Sequence, residues 1–287
     1  MKMNLDHILA IALDAGKAVM EVYNNSTVSV EFKQDQSPLT LADRLSNEII
    51  SDRLVKMDSS IPVLSEESEG VPYERRKEWE RFWLVDPLDG TKEFIKRNGE
   101  FTVNIALVHD GSPVLGVIYA PVKSTLYYAS RGDGAFRVDS SGTKTKLRVT
   151  ERKPGGDLVV VSSRSHKTEA LARFMAQLDT CCEGVSEVSV GSSLKFCLVA
   201  EGRAHIYPRL GPTMEWDTSA GQMIVEEAGG RVMDIKTMSA LRYNKESLLN
   251  NHFIASDGCF SLERPACHSE HQAKNPMAST LNPLNNR

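Results

Sequence analysis

Two stretches near the start of the chain carry apolar residues at the three- and four-residue spacing of an amphipathic helix. The first helix is expected to end near residues 24–25, and its apolar stripe consists of Leu5, Leu9, Ala12, Gly16 and Val19. A short strand at residues 28–32 leads to Ser37 and Pro38, which should redirect the chain. Thr40 is placed to cap a second helix, whose buried side carries Leu41, Leu45 and Ile49.

A strand-rich region follows these helices. Apolar residues at 61–64 and 82–85 predict two buried strands, and both run directly into acidic residues. The pair Asp110-Gly111 is a strong hairpin signal between two runs of β-branched residues. The other strands of this region are expected at residues 102–109, 114–119, 126–130 and 134–138.

Strands and helices alternate beyond residues 153–156, which combine proline and glycine. Strands are expected at 158–162, 185–190, 231–233 and 252–255, and helices at 169–178, 193–200 and 218–228. The change from a meander to alternation predicts an α+β part at residues 1–154 and an α/β part at residues 155–263. Residues 264–287 are polar and lack periodicity, so we predict a disordered tail.

The composition is that of an ordinary globular protein, with 41% hydrophobic and 25% charged residues among 287. A net charge of −4 argues against a protein whose main role is to coat nucleic acid or anionic lipid. No apolar window is long enough to cross a bilayer, and charges interrupt the first helix, unlike a signal peptide. The five cysteines are scattered, which fits no disulfide framework and indicates the reducing cytosol.

The strongest chemical motif, Asp-Pro-Leu-Asp-Gly-Thr, begins at Asp86 directly after a predicted buried strand. A second carboxylate, Asp89, follows across a proline turn, with the carbonyl of Leu88 between the two acids. Such a set of oxygens suits a hard divalent cation such as magnesium. Gly90 and Thr91 then offer backbone N–H groups that favour an anionic phosphate. Taken alone, the hexapeptide fits a surface turn with a capped helix equally well.

Further acids lie at comparable positions in the chain. Glu66 and Glu67 also follow a buried strand, which distinguishes them from an ordinary solvated run of charges. Asp217 stands where an N-cap belongs before the helix at 218–228, and as a lone residue it fits that structural role. Asp43 is explained equally well as a first-turn acid favoured by the helix dipole.

Three motifs in order, LSEES, DPLDGTKEF and WDTSAGQMIVEEAGG, resemble the signature of the inositol monophosphatase superfamily of lithium-sensitive, magnesium-dependent phosphatases. The likeness extends over residues 1–260 and implies the family's fold, a layered αβαβα sandwich of the α+β and α/β classes. Residues 191–221 resemble bacterial members that remove a phosphate from 3′-phosphoadenosine 5′-phosphate, a by-product of sulfate activation. The resemblance therefore implies a magnesium-dependent bisphosphate nucleotidase, with 3′-phosphoadenylyl sulfate as a further substrate.

The resemblance also implies roles for residues at the matching positions. The metal ligands of the family correspond to Glu67, Asp86, the Leu88 carbonyl, Asp89 and Asp217, of which Glu67 and Asp217 also adjoin the substrate. The groups that orient or deprotonate the attacking water correspond to Thr91 and Asp43, and the amides that hold the scissile phosphate to Gly90 and Thr91. Contacts to the other phosphate or to the base correspond to Ser192, Lys195, Arg209 and His166.

If these carboxylates converge as the resemblance implies, they repel one another strongly in one pocket. Each close pair repels by roughly 4 kcal/mol at ~4 Å and an effective dielectric constant near 20. The cluster therefore needs cations or must take up protons. The expected cofactor is two or three magnesium ions, and the expected reaction is direct in-line attack by water without a phospho-enzyme.

Two alternatives stay open. The first is another phosphatase of the superfamily, acting on inositol phosphates or sugar bisphosphates. The second is a regulatory protein that binds magnesium and phosphate, or a nucleic-acid-associated factor, without turnover; the complete acid set with Thr91 argues against it. Arg209 favours the nucleotide, because inositol-specific relatives carry an acid near this place and an arginine matches a second phosphate.

The expected partner is a small-molecule nucleotide, with no nucleic acid and no stable membrane insertion. The polar face of the first helix mixes acids and lysine, so packing on the second helix is expected instead of insertion. We expect a monomer or a homodimer in the cytoplasm, with peripheral association at the inner face of the plasma membrane left open.

Overall fold

The computed structural model describes residues 5–25, 30–32, 38–68, 70–150, 156–165, 168–182 and 184–258. The predicted tail at 264–287 lies outside these ranges, as does most of the predicted joint at 153–156. Within them, the helices are α1 (Leu5–Asn24), α2 (Leu41–Met57), α3 (Tyr73–Arg76), α4 (Thr91–Ile95), α5 (Glu169–Cys181), α6 (Leu194–Ala200) and α7 (Ser219–Glu227). Two 3₁₀ turns are Pro121–Lys123 and Glu215–Asp217.

The strands of the two predicted parts form separate sheets. Up to residue 150 the described strands are β1 (Val30–Phe32), β2 (Pro38–Thr40), β3 (Val63–Ser65), β4 (Arg81–Asp89), β5 (Thr102–His109), β6 (Ser112–Ala120), β7 (Thr125–Ser130), β8 (Gly134–Val138) and β9 (Lys144–Lys146). Later strands are β10 (Leu158–Ser163), β11 (Val185–Val190), β12 (Ile206–Arg209), β13 (Arg231–Asp234), β14 (Ser239–Ala240) and β15 (Phe253–Ser256). The chain therefore completes one sheet before it begins the next.

The first large sheet has the order β3-β4-β5-β6-β7-β8-β9. Its first pair, β3 and β4, is parallel, and each later pair is antiparallel, as expected for a meander of hairpins. In the parallel pair Ser65 lies beside Val85, so β3 and the apolar part of β4 end at the same edge. The acidic residues that follow these positions are brought together by this topology.

The second large sheet has the order β11-β10-β12-β15-β13-β14. Helices connect β10 to β11 and β11 to β12, and β10 is parallel to both of these neighbours. β15 pairs antiparallel with β12 and β13, so the sheet as a whole is mixed. A separate ribbon joins β1 and β2 antiparallel.

The two faces of the first sheet bury different helices. Ile8 of α1 and Ile50 of α2 share an apolar cluster with Trp83, which points to one face of β4. The adjacent Phe82 points to the opposite face and joins a second cluster with Ile224 of α7. The sheet is therefore buried on both sides, with α1 and α2 outside and α7 within.

The second sheet completes the stack. Phe196 of α6 stacks on Phe253 of β15 with ring centroids 5.7 Å apart, so the inner helices also cover this sheet. On the outer face, Phe174 of α5 packs with Val160 and Ile254. The layers follow the order αβαβα, which confirms the predicted layered fold.

The amphipathic N-terminal helix packs inward as predicted. Ile8, Ile11 and Ala15 of α1 are buried in the cluster that includes Ala42 and Ile50 of α2. Across the described ranges we find no helix with both the length and the apolar character needed to span a membrane.

Gly116 on β6 sets how closely α7 approaches the first sheet. A Cβ at this position would lie 2.6 Å from the carbonyl oxygen of Ala220 and 2.9 Å from the Cβ of Met223. Gly116→Ala should therefore lower the free energy of unfolding by about 1–3 kcal/mol, measured by urea denaturation. Gly70→Ala is the matched control, because no atom of the described residues, apart from its chain neighbours, lies within 4 Å of that Cβ. Equal stability of the two variants would contradict this account of the packing.

Candidate active site

Three carboxylates meet where the parallel strands end. The backbone N–H of Glu66 donates to the carbonyl of Val85 at 3.1 Å and so continues the pairing of β3 with β4. Glu66 is thereby placed beside Asp86, the next residue of β4. Asp217, at the end of the turn Glu215–Asp217, completes a group in which one oxygen of each carboxylate lies within 4.8 Å of the others.

The structure corrects the predicted acid set at one position. Glu66, and not Glu67, joins the other two carboxylates, and only Glu66 of this pair lines the adjacent cleft. The chain turns immediately after β3, where the N–H of Ser68 donates to the carbonyl of Ser65 at 3.2 Å. Successive side chains leave such a turn in different directions, so one of the two glutamates enters the site and its neighbour does not.

Burial and mutual repulsion disfavour the ionised form of this cluster. Desolvation, followed by the charges of Glu66, Asp89 and Asp217, raises the pKa of Asp86 well above its usual value. Desolvation, followed by the charges of Asp89 and Glu66, likewise raises the pKa of Asp217. Without a cation, these carboxyls therefore hold protons at pH values where ordinary aspartates are ionised.

Asp89 is held by two polar residues that the sequence analysis did not single out. Its Oδ2 accepts from the Ser193 hydroxyl at 2.7 Å and from the Asn104 side-chain amide at 3.4 Å. Asn104 also donates to the Ser193 hydroxyl at 2.9 Å, and it pairs with Asp86 across β4 and β5. The sequence signal for this support is an asparagine inside an otherwise apolar strand.

Asp217 is not the N-cap of α7, although its position in the sequence suits that role. Thr218 occupies the cap position, and Asp217 ends the preceding 3₁₀ turn, where its Oδ2 accepts from the Met214 N–H at 2.9 Å. The buried carboxylate of Glu215 fixes the same turn, because it accepts from Lys245 through both the backbone N–H at 3.0 Å and Nζ at 2.6 Å. The turn therefore orients the acid toward the cluster.

Asp43 combines its predicted helix-start position with a link to Thr91. Its Oδ2 accepts from the backbone N–H of Thr40 at 2.7 Å and from the Thr40 hydroxyl at 2.6 Å, within a capping box. Its Oδ1 lies 3.3 Å from the Thr91 hydroxyl, which is also 3.3 Å from the Leu88 carbonyl. The start of α2 and the Asp-Pro-Leu-Asp-Gly-Thr segment thus form one hydrogen-bonded unit.

Helix α2 anchors both of the acid-bearing segments. The Ser46 hydroxyl donates to the carbonyl of Pro87 at 2.7 Å, between Asp86 and Leu88. The next residue contacts the other segment, because Asn47 Oδ1 accepts from the Ser65 hydroxyl at 2.7 Å, at the end of β3. The helix therefore fixes the two strand ends relative to each other.

The acids line a cleft of about 390 Å³. The predicted residues on its lining are Asp86, Leu88, Asp89, Gly90, Thr91, Ser192, Lys195, Arg209 and Asp217. Asp43 adjoins this lining through Thr91, and His166 lies outside the described residues. Most of the predicted site is therefore assembled in one place, although it comes from both sheets.

Lys195 is buried on the cleft lining and already makes backbone contacts. Its Nζ donates to the carbonyl of Ser192 at 2.5 Å and lies 3.5 Å from the carbonyl of Val190. Desolvation lowers the pKa of Lys195 to about 8. The lysine thus holds the loop that precedes α6 as well as placing a positive charge beside the cleft.

Arg209 ends β12 on the same lining. Its Nη2 donates to the carbonyl of Pro212 at 2.7 Å, which fixes the guanidinium at its far end. Its Nε is buried and has no hydrogen-bond partner among the described residues. A buried donor without an acceptor is costly, so the site favours a ligand that supplies one.

The donor set fits the metal that the resemblance implies. The group formed by Glu66, Asp86 and Asp217 offers only carboxylate oxygens, and the Leu88 carbonyl lies on the same cleft. Hard cations such as magnesium prefer oxygen ligands of this kind. Desolvation, followed by repulsion from neighbouring acids, raises the pKa of Asp86, and a cation would offset the repulsion.

Comparison with known proteins places the chain in a family. Residues 4–273 match the model of the inositol monophosphatase family. The chain belongs to the inositol monophosphatase family. Members of that family are metal-dependent phosphatases, so this chain is a phosphatase, as the sequence motifs predicted.

Two curated relatives in this family are 3′(2′),5′-bisphosphate nucleotidases named CysQ, from Salmonella typhimurium strain LT2 and Escherichia coli strain K12. Each is 46% identical to the chain. The first match covers 87% of this chain and 98% of the relative, and the second covers 88% and 99%.

Solved structures of the family have the same fold. The crystal structure of CysQ from Bacteroides thetaiotaomicron is 43% identical, with a TM-score of 0.78, and the match covers 88% of this chain and 96% of that one. The extragenic suppressor protein suhB from Bartonella henselae is 28% identical with a TM-score of 0.73, covering 88% and 93%.

Glu66 and Glu67 form a matched pair for testing the acid cluster. Glu66→Gln removes a carboxylate from the cluster and should lower kcat/KM by at least about 100-fold, equivalent to about 2.7 kcal/mol of transition-state stabilisation. Glu67→Gln should lower it by less than about threefold, because this side chain does not line the cleft. Steady-state phosphate release at several magnesium concentrations measures both. A larger loss for Glu67→Gln would reverse the assignment.

Stability of the protein without metal should depend on pH through the same carboxyls. The folded state holds protons that the unfolded chain releases near the ordinary value of 3.8, so stability should fall as pH rises through the raised pKa values. Magnesium replaces those protons and should raise the melting temperature more at pH 8 than at pH 5. Scanning calorimetry with EDTA and with magnesium measures the difference. An equal gain at both pH values would contradict the coupling between metal binding and protonation. In Glu66→Gln, the difference between the gains at pH 8 and pH 5 should be smaller.

Proposed function

We propose that the chain is a magnesium-dependent 3′(2′),5′-bisphosphate nucleotidase that converts 3′-phosphoadenosine 5′-phosphate to AMP and phosphate. The observation that carries the proposal is one cleft lined both by the acid cluster and by cationic residues, among them Lys195 and Arg209. A substrate with two phosphates uses both the acid cluster and the cationic side chains. A monophosphate uses only the acid cluster. The names of the curated relatives support this choice.

The acids of the cleft would hold the metal. In this proposal the ligands of two or three magnesium ions are Glu66, Asp86, Asp89, Asp217 and the Leu88 carbonyl. When bound, the ions lower the pKa of a water molecule and neutralise charge on the phosphoryl oxygens. Glu66 replaces Glu67 in this set because only Glu66 lies in the carboxylate group.

Thr91 and Asp43 would handle the proton of the attacking water. The Thr91 hydroxyl, 3.3 Å from Asp43 Oδ1, donates to that carboxylate and can accept from a water in the cleft. The two hydrogen bonds from Thr40 to Oδ2 hold the Asp43 carboxylate in place, with Oδ1 toward Thr91. The N–H groups of Gly90 and Thr91 would hold oxygens of the scissile phosphate.

Arg209 would bind the phosphate that does not react. Its planar fork matches phosphate oxygens, and its fixed far end reduces the entropy lost on binding. The Ser192 hydroxyl lies on the same lining and would donate to this phosphate. Lys195 would add positive potential while it holds the loop. 3′-Phosphoadenylyl sulfate, which carries the same 3′-phosphate, is a second substrate in this proposal.

Inositol phosphates are the second candidate substrates, favoured by the family match. Phosphate release from 3′-phosphoadenosine 5′-phosphate, inositol 1-phosphate and fructose 1,6-bisphosphate at equal magnesium separates the candidates. We expect the nucleotide to give the highest kcat/KM by at least about tenfold, equivalent to about 1.4 kcal/mol. A preference for inositol 1-phosphate would overturn the proposal.

We further place this reaction in the cytoplasm, where sulfate activation yields the substrate. The buried free thiols of Cys182 and Cys197 are consistent with a reducing compartment.

Arg209→Glu tests the second-phosphate site. The substitution places a negative charge where the non-reacting phosphate binds, so KM for the bisphosphate nucleotide should rise at least about tenfold. KM for inositol 1-phosphate should change less, because that substrate has no second phosphate. Arg231→Glu, on the exposed start of β13, makes the same charge change away from the cleft and should leave both values unchanged. Equal effects on the two substrates would show that Arg209 does not select the bisphosphate.

A further inference from the structure

One carboxylate outside the cleft joins the two sheets beside it. Arg164 donates to Glu100 through Nε at 2.6 Å and through Nη2 at 2.8 Å, so the two side chains form a bidentate ion pair. The backbone N–H of Gly191 donates to the same carboxylate at 2.8 Å. Glu100 precedes β5 of the first sheet, whereas Arg164 and Gly191 follow β10 and β11 of the second. We call Glu100, Arg164 and Gly191 the inter-sheet clasp.

The clasp is closely packed at Gly191. A Cβ on this residue would lie 2.7 Å from the Cγ of Glu93 and 2.8 Å from the carbonyl oxygen of Glu100. Glu93 is itself buried and accepts from the Ser165 hydroxyl, next to Arg164. The segment after the Asp-Pro-Leu-Asp-Gly-Thr motif therefore contacts two strand ends of the second sheet at once.

The clasp adjoins residues of both proposed phosphate positions. A Cβ on Gly90, whose amide would hold the scissile phosphate, would be 3.1 Å from the carbonyl oxygen of Glu100 and 3.3 Å from the Cβ of Ser192. Ser192 follows Gly191 directly and would contact the other phosphate. Neither Glu100 nor Arg164 lines the cleft, although the residues that they hold do. Gly90 thus adjoins both the backbone of Glu100 and Ser192, the residue that follows the clasp at Gly191.

We propose that Glu100, together with Arg164, is a positioning residue that sets the spacing of the two phosphate sites and thereby the preference for bisphosphates. The inference rests on the proposed nucleotidase function. It concerns how the loop at Gly191 is held, and it adds no group that touches substrate.

The hydrogen bonds of the clasp favour the ionised form of Glu100. Partial burial opposes ionisation, but hydrogen bonds from Arg164 and from the Gly191 N–H hold the pKa of Glu100 below its usual value. The Arg164 side chain is 47% exposed and the Glu100 side chain 17%, and ion pairs with such exposure contribute little to stability. A large effect of this pair on substrate preference would therefore report geometry and not global stability.

The test uses the complete chain with magnesium and two substrates, 3′-phosphoadenosine 5′-phosphate and inositol 1-phosphate. Glu100→Ala removes all three hydrogen bonds and should reduce the ratio of kcat/KM for bisphosphate over monophosphate by about tenfold, mainly through KM for the bisphosphate. Arg164→Met should act in the same direction, and the double variant should lose no more than the larger single loss. The magnesium concentration for half-maximal rate should stay unchanged, because the acid cluster is untouched.

Glu227→Ala is the matched control. The Glu227 carboxylate accepts from two backbone N–H groups, of Gly132 at 2.9 Å and Gly134 at 2.8 Å, away from the cleft. This variant should leave the substrate ratio unchanged. If Glu100→Ala does not fold, Arg164→Met supplies the same readout, since the arginine is half exposed.

The outcomes separate the two claims. Wild-type protein that does not prefer the bisphosphate would overturn the proposed function and the spacing role with it. Preference in the wild type that is equally strong in Glu100→Ala and Arg164→Met would overturn the spacing role alone. An equal loss on both substrates would also overturn it, because the clasp would then support the fold and not the spacing.

Discussion

The repulsion between carboxylates at the end of β3 and β4 is the constraint on which the rest of the site depends. Asp86 is 1% exposed and has Glu66 and Asp217 as acidic neighbours within 4.8 Å. At an effective dielectric constant near 20, each such contact between charges costs roughly 4 kcal/mol at ~4 Å. The fold tolerates this only with protons or cations in the cleft, and cations are what a phosphatase needs there.

The scaffold explains how so unfavourable a group is held in place. The parallel pair of β3 and β4 brings Glu66 to Asp86, and α2 fixes both strand ends through Ser46 and Asn47. The capping box of the same helix orients Asp43 toward the cleft. Structural hydrogen bonds of α2 therefore also order the groups proposed to act in the reaction, which couples stability of this helix to activity.

The second half of the chain contributes most of the groups proposed for recognition. The loop before α6 and the end of β12 supply Ser192, Lys195 and Arg209, and the turn that follows supplies Asp217 to the acid cluster. Glu66 and Asp86 thus come from the first sheet, whereas Asp217 and the proposed specificity groups come from the second half of the chain. Members of one family can then differ in substrate by changes in the second sheet while the acid cluster stays the same.

Much of this arrangement could be predicted, because it depends on local signals. The Asp110-Gly111 hairpin, the Thr40 cap and the acids after two buried strands all follow from short-range patterns. The choice of Glu66 over Glu67 depends on a turn that two consecutive glutamates do not specify.

Tertiary contacts decided the other differences. A sequence pattern at Asp217 suits an N-cap, but contacts of Glu215 with Lys245 wind the chain into a 3₁₀ turn before α7. The hydrogen bonds of Asn104 and Ser193 with Asp89 likewise join residues far apart in the chain. Such long-range partners leave little trace in a local pattern, so the sequence does not predict the support of Asp89 by these two residues.

The melting temperature of Asp86→Asn in EDTA tests the central claim most directly. Asparagine keeps the size of the side chain and the oxygen that accepts from the Leu88 N–H, 3.1 Å away in the wild type, but removes the buried charge. The account predicts that the variant melts above the wild type at pH 8 in EDTA, and that magnesium stabilises it less. A variant that melts below the wild type in EDTA would contradict the claim that repulsion among these carboxylates governs the site.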